Sequence, residues 1–226
     1  MGWFVRAITT SVGRKGIMAV TGTIMVLFVI VHMLGNTHLW EGPKEGGLSA
    51  MDHYAHLLRT FPAFLWFFRI VMFVVAVTHV TVGIWLWLEN RAARPSGYAV
   101  MKTVKATFAS RTMIWSGAII MGFLIYHLLN LTIGTAGPVS MEEGPTKVFD
   151  NVVRTFQVPW ISILYIVGQI LLFFHLSHGI SSLFQTLGFR HPKYMTAVER
   201  GGTLLAFLIC GINILLPISV LLGWVG

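Results

Sequence analysis

Charge is scarce in this sequence: 11% of its 226 residues are Asp, Glu, Lys or Arg, where a soluble domain carries about 25%. That shortage, beside 55% hydrophobic residues and a mean hydropathy of +0.75, excludes an ordinary water-soluble enzyme. Cysteine is scarcer still. Cys210 is alone and sits in an apolar run, so there is no disulfide framework, no Cys-x-x-Cys-His attachment site and no sulfur ligand set for an iron–sulfur cluster. If the chain carries electrons, the carrier must be held by something other than sulfur. Acidic residues number 8 against 16 basic ones, and in so apolar a chain the net charge of +8 marks basic loops facing anionic lipid. No short apolar region with a small-residue cleavage site opens the sequence, so no signal peptide is expected.

What the chain has is long apolar runs. A hydrocarbon core of about 30 Å takes roughly 20 helical residues. Five stretches are long enough, at about 16–36, 64–88, 112–133, 160–187 and 202–224. They predict an all-α membrane bundle of five transmembrane helices forming one domain over residues 1–226. The connecting segments hold most of the charge and turn chemistry, as in Glu41-Gly42-Pro43-Lys44 and Arg94-Pro95-Ser96-Gly97. The first dozen residues, with Trp3, Phe4, Val5 and Ile8 against Arg6 and Thr9, read as an interfacial helix. Eleven Lys and Arg fall on the side of the N-terminus and of the second and fourth loops, against five on the other side with six of the eight acids. The N-terminus is therefore expected in the cytoplasm and the C-terminus outside.

The sequence also repeats itself. Thr21-Gly22, Ile24, Phe28, Ile30 and His32 align at an offset of 95 with Ser116-Gly117, Ile119, Phe123, Ile125 and His127. At 95 to 96, His79 and Gly83 fall on His175 and Gly179. The first four spans thus form two related hairpins, with the fifth span added.

Histidine carries the chemistry. Of nine histidines, His32, His79, His127, His175 and His178 lie inside the spans. A single intramembrane histidine is readily explained as a neutral group hydrogen-bonded between helices. One in each of four consecutive helices points to a task. His32 and His127 lie about 16 residues past Lys15 and Arg111, which is roughly 25 Å from the inner surface. His79 and His175 run in from the other side and sit at roughly 15–22 Å. Two pairs at two levels follow: His32 with His127, and His79 with His175. A facing imidazole pair fills both axial positions of a haem iron, which suits electron transfer. Gly35, Gly83 and Gly179, each one turn from a histidine, agree with a flat macrocycle against the helix, although glycines at helix crossings also serve ordinary close packing. His178 competes with His175, which the repeat favours. The pairs His175/His178 and His53/His56 are also open to reading as histidine boxes of a membrane di-iron enzyme, but such boxes cluster near one surface and these histidines are spread over four helices.

The ordered histidines, the segment Phe174-His175-Leu176-Ser177-His178-Gly179, and Phe184-Gln185-Thr186-Leu187-Gly188 before His191-Pro192-Lys193-Tyr194 resemble the dihaem cytochrome b membrane-anchor subunit of succinate dehydrogenase and fumarate reductase, respiratory complex II. The opening (Ser11, Gly13, Lys15, Thr21-Gly22, His32, Gly35-Asn36) and Asn90-Arg91-Ala93-Arg94-Pro95 are similar to that family too. The resemblance implies a multi-pass protein of the bacterial plasma membrane with two b haems on the four histidines. It implies a quinone as substrate (menaquinone), and flavoprotein and iron–sulfur partners on the cytoplasmic face that hold the FAD and the clusters. It also implies electron transfer from succinate to quinone, or the reverse to fumarate, and leaves room for a higher oligomer of the complex. The different-class alternative is a haem-free transporter or assembly protein whose histidines relay protons or bind metal. The partner is expected at Arg91, Arg94, Lys102, Lys105, Arg190 and Lys193, although positive-inside topology accounts for the same residues. The quinone site is expected beside Met51–Arg59 on the outer side, with Asp52 leading to external water and His53, Tyr54 and His56 as hydrogen-bonding and proton-handling groups. Tyr54, Leu57 and Leu58 would form the apolar face of an amphipathic helix there. The rival site is an inner one at Ser11, Arg14 or Lys15.

Overall fold

The computed structural model describes residues 2, 8–43, 47–93, 108–189 and 191–226. Among them are eight α-helices and no strand: α1 (Ser11–Asn36), α2 (Ala50–Thr60), α3 (Pro62–Ala92), α4 (Phe108–Arg111), α5 (Met113–His127), α6 (Val148–Phe156), α7 (Pro159–Thr186) and α8 (Pro192–Leu221). A 3-10 turn, Thr37–Glu41, prolongs α1, and a π-helical turn, Leu128–Ile133, prolongs α5. With these extensions α1, α3, α5, α7 and α8 are the five helices long and apolar enough to cross a membrane. Of the expected N-terminal interfacial helix, residues 1 and 3–7 lie outside the described residues.

The five-helix architecture follows the hydropathy, but the ends of the helices follow local chemistry. The first helix was expected from residue 16 and begins at Ser11, where the Thr10 hydroxyl caps it by accepting from the Gly13 amide at 3.1 Å. The fifth was expected from 202 and begins ten residues earlier at Pro192. Proline at the first helical position has no amide to leave unpaired, and His191 Nδ1 accepts from the Lys193 amide at 3.2 Å. Two polar turns therefore precede the apolar run. α5 ends at Gly134, whose φ of +78° favours glycine, and the Leu129 carbonyl accepts from both Thr135 and Ala136 amides there.

α1 packs on α3 and α5 on α7, giving the two hairpins of the repeat; α8 lies along α7, α1 also packs on α7, and α3 scarcely touches α5. Only Val75 and Val82 are buried on α3, whereas Phe64, Trp66, Phe67, Ile70, Phe73 and Ile84 are exposed. In water such a face would be a liability; against lipid tails it is the expected surface.

The end of the bundle opposite the Arg14 end is closed by α2, α6 and the 3-10 turn. Leu39, Met51, Phe149, Val153, Phe156, Ile161, Leu216 and Val220 form one core there. Trp40 Nε1 donates to Ser219 Oγ at 3.1 Å and ties the turn to α8. Asp52 holds the two short helices together. Its carboxylate accepts from the Val148 and Phe149 amides at 2.8 and 3.1 Å and from the Ser49 hydroxyl at 2.7 Å. A negative charge at the start of α6 meets the positive end of that helix. Asp52 is thus a buried cap, not a path to external water. On α2 the face turned to the core carries Met51 and Asp52, while Leu57, expected on the apolar face at the membrane surface, is 59% exposed. Outside this core, Lys147 donates to Glu142 and holds its carboxyl below the usual carboxylate range, while Glu142 raises the lysine in return.

Replacing Asp52 by Ala leaves the Val148 and Phe149 amides unpaired in a dry site. The variant should lose about 1–3 kcal/mol of stability, read as a lower melting temperature of the purified chain in detergent, with Asp52→Asn losing less. Equal melting of Asp52→Ala and the parent would remove Asp52 from this role.

Candidate functional site

Two imidazole pairs face each other inside the bundle. His32 on α1 and His127 on α5 have ring centroids 5.8 Å apart at an interplanar angle of 81°. His79 on α3 and His175 on α7 are 6.4 Å apart at 65°. Each pair joins corresponding helices of the two hairpins. Phe28 stacks on His32 at 5.4 Å, and its repeat counterpart Phe123 lies 6.2 Å from His127. All four rings are half-buried.

The Nδ1 edges turn towards hydroxyl groups. His79 Nδ1 lies 3.0 Å from Thr21 Oγ1, and His175 Nδ1 lies 3.3 Å from Ser116 Oγ. The glycines that follow make room for the rings: a Cβ added at Gly22 would stand 3.3 Å from His79 Cε1, and one at Gly117 would stand 3.4 Å from His175 Cε1. The repeated Thr21-Gly22 and Ser116-Gly117 are therefore seats for the histidines of the neighbouring helix. Both lie eleven residues before His32 and His127, which sets the two pairs roughly 16 Å apart along the bundle.

His127 has a different support, with no counterpart in the repeat. Its Nδ1 is 3.3 Å from the Tyr165 hydroxyl, which donates to Asn130 Oδ1 at 2.9 Å. Asn130 is fully buried in the π turn, and its Nδ2 donates to the Ala136 carbonyl at 2.8 Å. The position one turn past His127, where glycine would match Gly35, holds Asn130 because this side chain closes the end of the span. In the sequence Asn130 shows only as the departure from the repeat at Gly35, and Tyr165, one aromatic residue in a span, carries no periodic signal.

The other expected residues fall as follows. His178 lies one turn beyond His175 and is half-buried, but the ring that meets His79 is that of His175. Gly179 has open space around it, and Gly83 faces the Met18 side chain. Gly35, expected to border a macrocycle, is covered by the Tyr54 ring, whose Cε1 would be 2.6 Å from an added Cβ. Tyr54 also packs 5.5 Å from His38, which pairs with Glu41 at 2.6 Å. His53 and His56 are exposed on α2. At the opposite end Ser11 and Lys15 are exposed, while Arg14 is buried, pairs with Glu89, donates to the Ile8 carbonyl at 2.7 Å and lies 4.6 Å over the Trp85 ring. Arg91 sits 5.2 Å over Trp87, and Lys193 lies in the first turn of α8, its backbone amide donating to the capping His191. Arg94, Lys102, Lys105 and Arg190 lie outside the described residues. Among the described residues no three His, Cys, Asp or Glu come together as a metal-binding group.

No match was found among curated proteins or among solved structures. The family described as "Succinate dehydrogenase/Fumarate reductase transmembrane subunit" matches residues 89–216, more than half of the chain, a stretch that includes His127, Asn130, Tyr165 and His175. The chain, a five-helix membrane protein with four of its interior histidines in two facing pairs, belongs to the succinate dehydrogenase/fumarate reductase transmembrane subunit family.

Proposed function

We propose that this chain is the dihaem, quinone-reactive membrane subunit of a succinate:quinone oxidoreductase or quinol:fumarate reductase. One b haem would be held between His32 and His127 and the other between His79 and His175. The observation that carries this reading is the pair of facing imidazoles at two levels of one bundle. Each pair offers two nitrogens and, among the described residues, no third protein ligand. A bare zinc ion takes about four ligands, whereas a macrocycle that brings its own four equatorial donors is completed by two. The spacing fits as well. Two metal–imidazole bonds of about 2 Å with the half-widths of two rings add to roughly 6 Å, near the separations of 5.8 and 6.4 Å. A b haem so ligated supplies one-electron transfer and leaves no open position for oxygen. This favours the electron-transfer reading over a haem-free transporter or assembly protein.

The protein's own groups do the rest. The basic end faces the cytoplasm and receives the iron–sulfur and flavoprotein partners, with Arg91 and Lys193 on that face. Arg14 is neutralised by Glu89 beneath it and serves to fix α1 on α3 at this end. The quinone site lies at the opposite end, in the bacterial plasma membrane's outer leaflet, beside Tyr54, His53 and His56. Tyr54 rests on Gly35, one turn from His32, which brings α2 towards the level of the outer histidine pair. The His53 and His56 imidazoles stand exposed on the same helix to hydrogen-bond carbonyl oxygens and exchange protons with water. Asp52 takes no part, because it is buried and its carboxylate accepts from the Val148 and Phe149 amides and the Ser49 hydroxyl.

In the purified complex His175→Ala should remove the absorbance of one b haem and keep the other, and His178→Ala should keep both. Retention of both in His175→Ala with loss in His178→Ala would overturn the ligand assignment on α7. For the quinone site, the double change His53→Ala and His56→Ala should lower quinone reduction at least tenfold while leaving both haem signals in place. Unchanged turnover in that variant, with loss of turnover and inhibitor binding in Arg14→Ala, would move the site to the basic end.

A further inference from the structure

The supports of the histidines fix more than position. The Thr21 hydroxyl donates to the Ile17 carbonyl at 2.8 Å, and the Ser116 hydroxyl to the Met113 carbonyl at 3.1 Å. Such bonds to the preceding turn are the usual resting place of a helical Ser or Thr proton. A hydroxyl has one proton and two lone pairs. With the proton committed to the helix, the oxygen faces His79 Nδ1 at 3.0 Å or His175 Nδ1 at 3.3 Å as an acceptor. The His127 chain is stricter still. The Ala136 carbonyl can only accept, so Asn130 Nδ2 faces it and Asn130 Oδ1 faces Tyr165. Tyr165 must then donate to that oxygen, and its own oxygen is left to accept from His127 Nδ1.

We infer that Thr21, Ser116 and Tyr165 are positioning residues that hold His79, His175 and His127 as the Nδ1–H tautomer, each leaving its Nε2 lone pair free to bind iron. This rests on the haem reading above. It assigns a task to the Thr-Gly and Ser-Gly repeats that helix packing alone does not require: the hydroxyl sets the tautomer, and the glycine admits the ring. A hydrogen bond from Nδ1–H also raises the basicity of the ligand, which stabilises ferric iron and lowers the midpoint potential. Because Thr21 and Ser116 act on the two ligands of one pair, their effects fall on one haem.

The test is a redox titration of the visible spectrum in the assembled complex. Thr21→Val, which keeps the shape and loses the hydroxyl, should raise the midpoint potential of one haem and leave the other unchanged. Ser116→Ala should shift that same haem, and Thr21→Ser should restore the parent value. An unchanged potential in Thr21→Val, or an equal shift in Thr21→Ser, overturns the inference. If Thr21→Val loses the haem, Thr21→Ser must retain it, and loss in both overturns the inference as well. A second readout needs no haem. In the full-length chain prepared without haem and labelled with 15N-histidine, nitrogen NMR in bilayers should show His79 and His175 protonated at Nδ1. Protonation at Nε2 there sinks this inference, whereas a complex that never binds haem sinks the functional reading instead.

Discussion

An imidazole in a hydrocarbon core has two nitrogens to satisfy, and this bundle is organised around satisfying them. An unpaired polar group away from water costs several kcal/mol, so four such rings dictate what surrounds them. On three of the rings Nδ1 meets a hydroxyl oxygen, from Thr21, Ser116 or Tyr165. Those oxygens come from the partner helix of the same hairpin, which explains why α1 packs on α3 and α5 on α7. The other side of each ring faces the corresponding helix of the other hairpin. Each hairpin is thus joined internally by hydrogen bonds, while α1 packing on α7 joins the two hairpins, with the histidine pairs lying between them.

The rest of the chain holds that frame at its ends. One end is locked by a layer in which Asp52 caps α6, Trp40 ties the turn after α1 to α8, and Asn130 closes α5. The other is fixed by Arg14, buried against Glu89 and Trp85. Between the ends α3 makes few contacts with α5 and exposes its aromatic residues. The haems proposed between the hairpins would be served by firm contacts at the two ends and by the sparse packing of α3 against α5.

The five helices and their pairing into hairpins were legible in the sequence because both are written in long-range patterns: hydropathy over some twenty residues and a repeat of 95. Depth arithmetic sufficed to match His32 with His127 and His79 with His175, since a straight helix converts residue number into height. What escaped was chemistry without a period. The start of α8 at Pro192 depends on a cap, not on hydropathy. Thr21-Gly22 and Ser116-Gly117 were visible as repeat markers, but which ring they touch depends on how α1 crosses α3 and α5 crosses α7. Asp52 was visible as an acid on an amphipathic helix, yet its partners are 96 and 97 residues away. Asn130 showed only as a break in the repeat at Gly35, and Tyr165 gave no signal, because the buried hydrogen bond between them decides their place.

The central claim is that each facing pair holds one haem. A pyridine haemochrome assay on the purified, unmodified complex tests it most directly. Two b haems for each copy of this chain is the predicted result; a single haem, or none, in an assembled complex would contradict it.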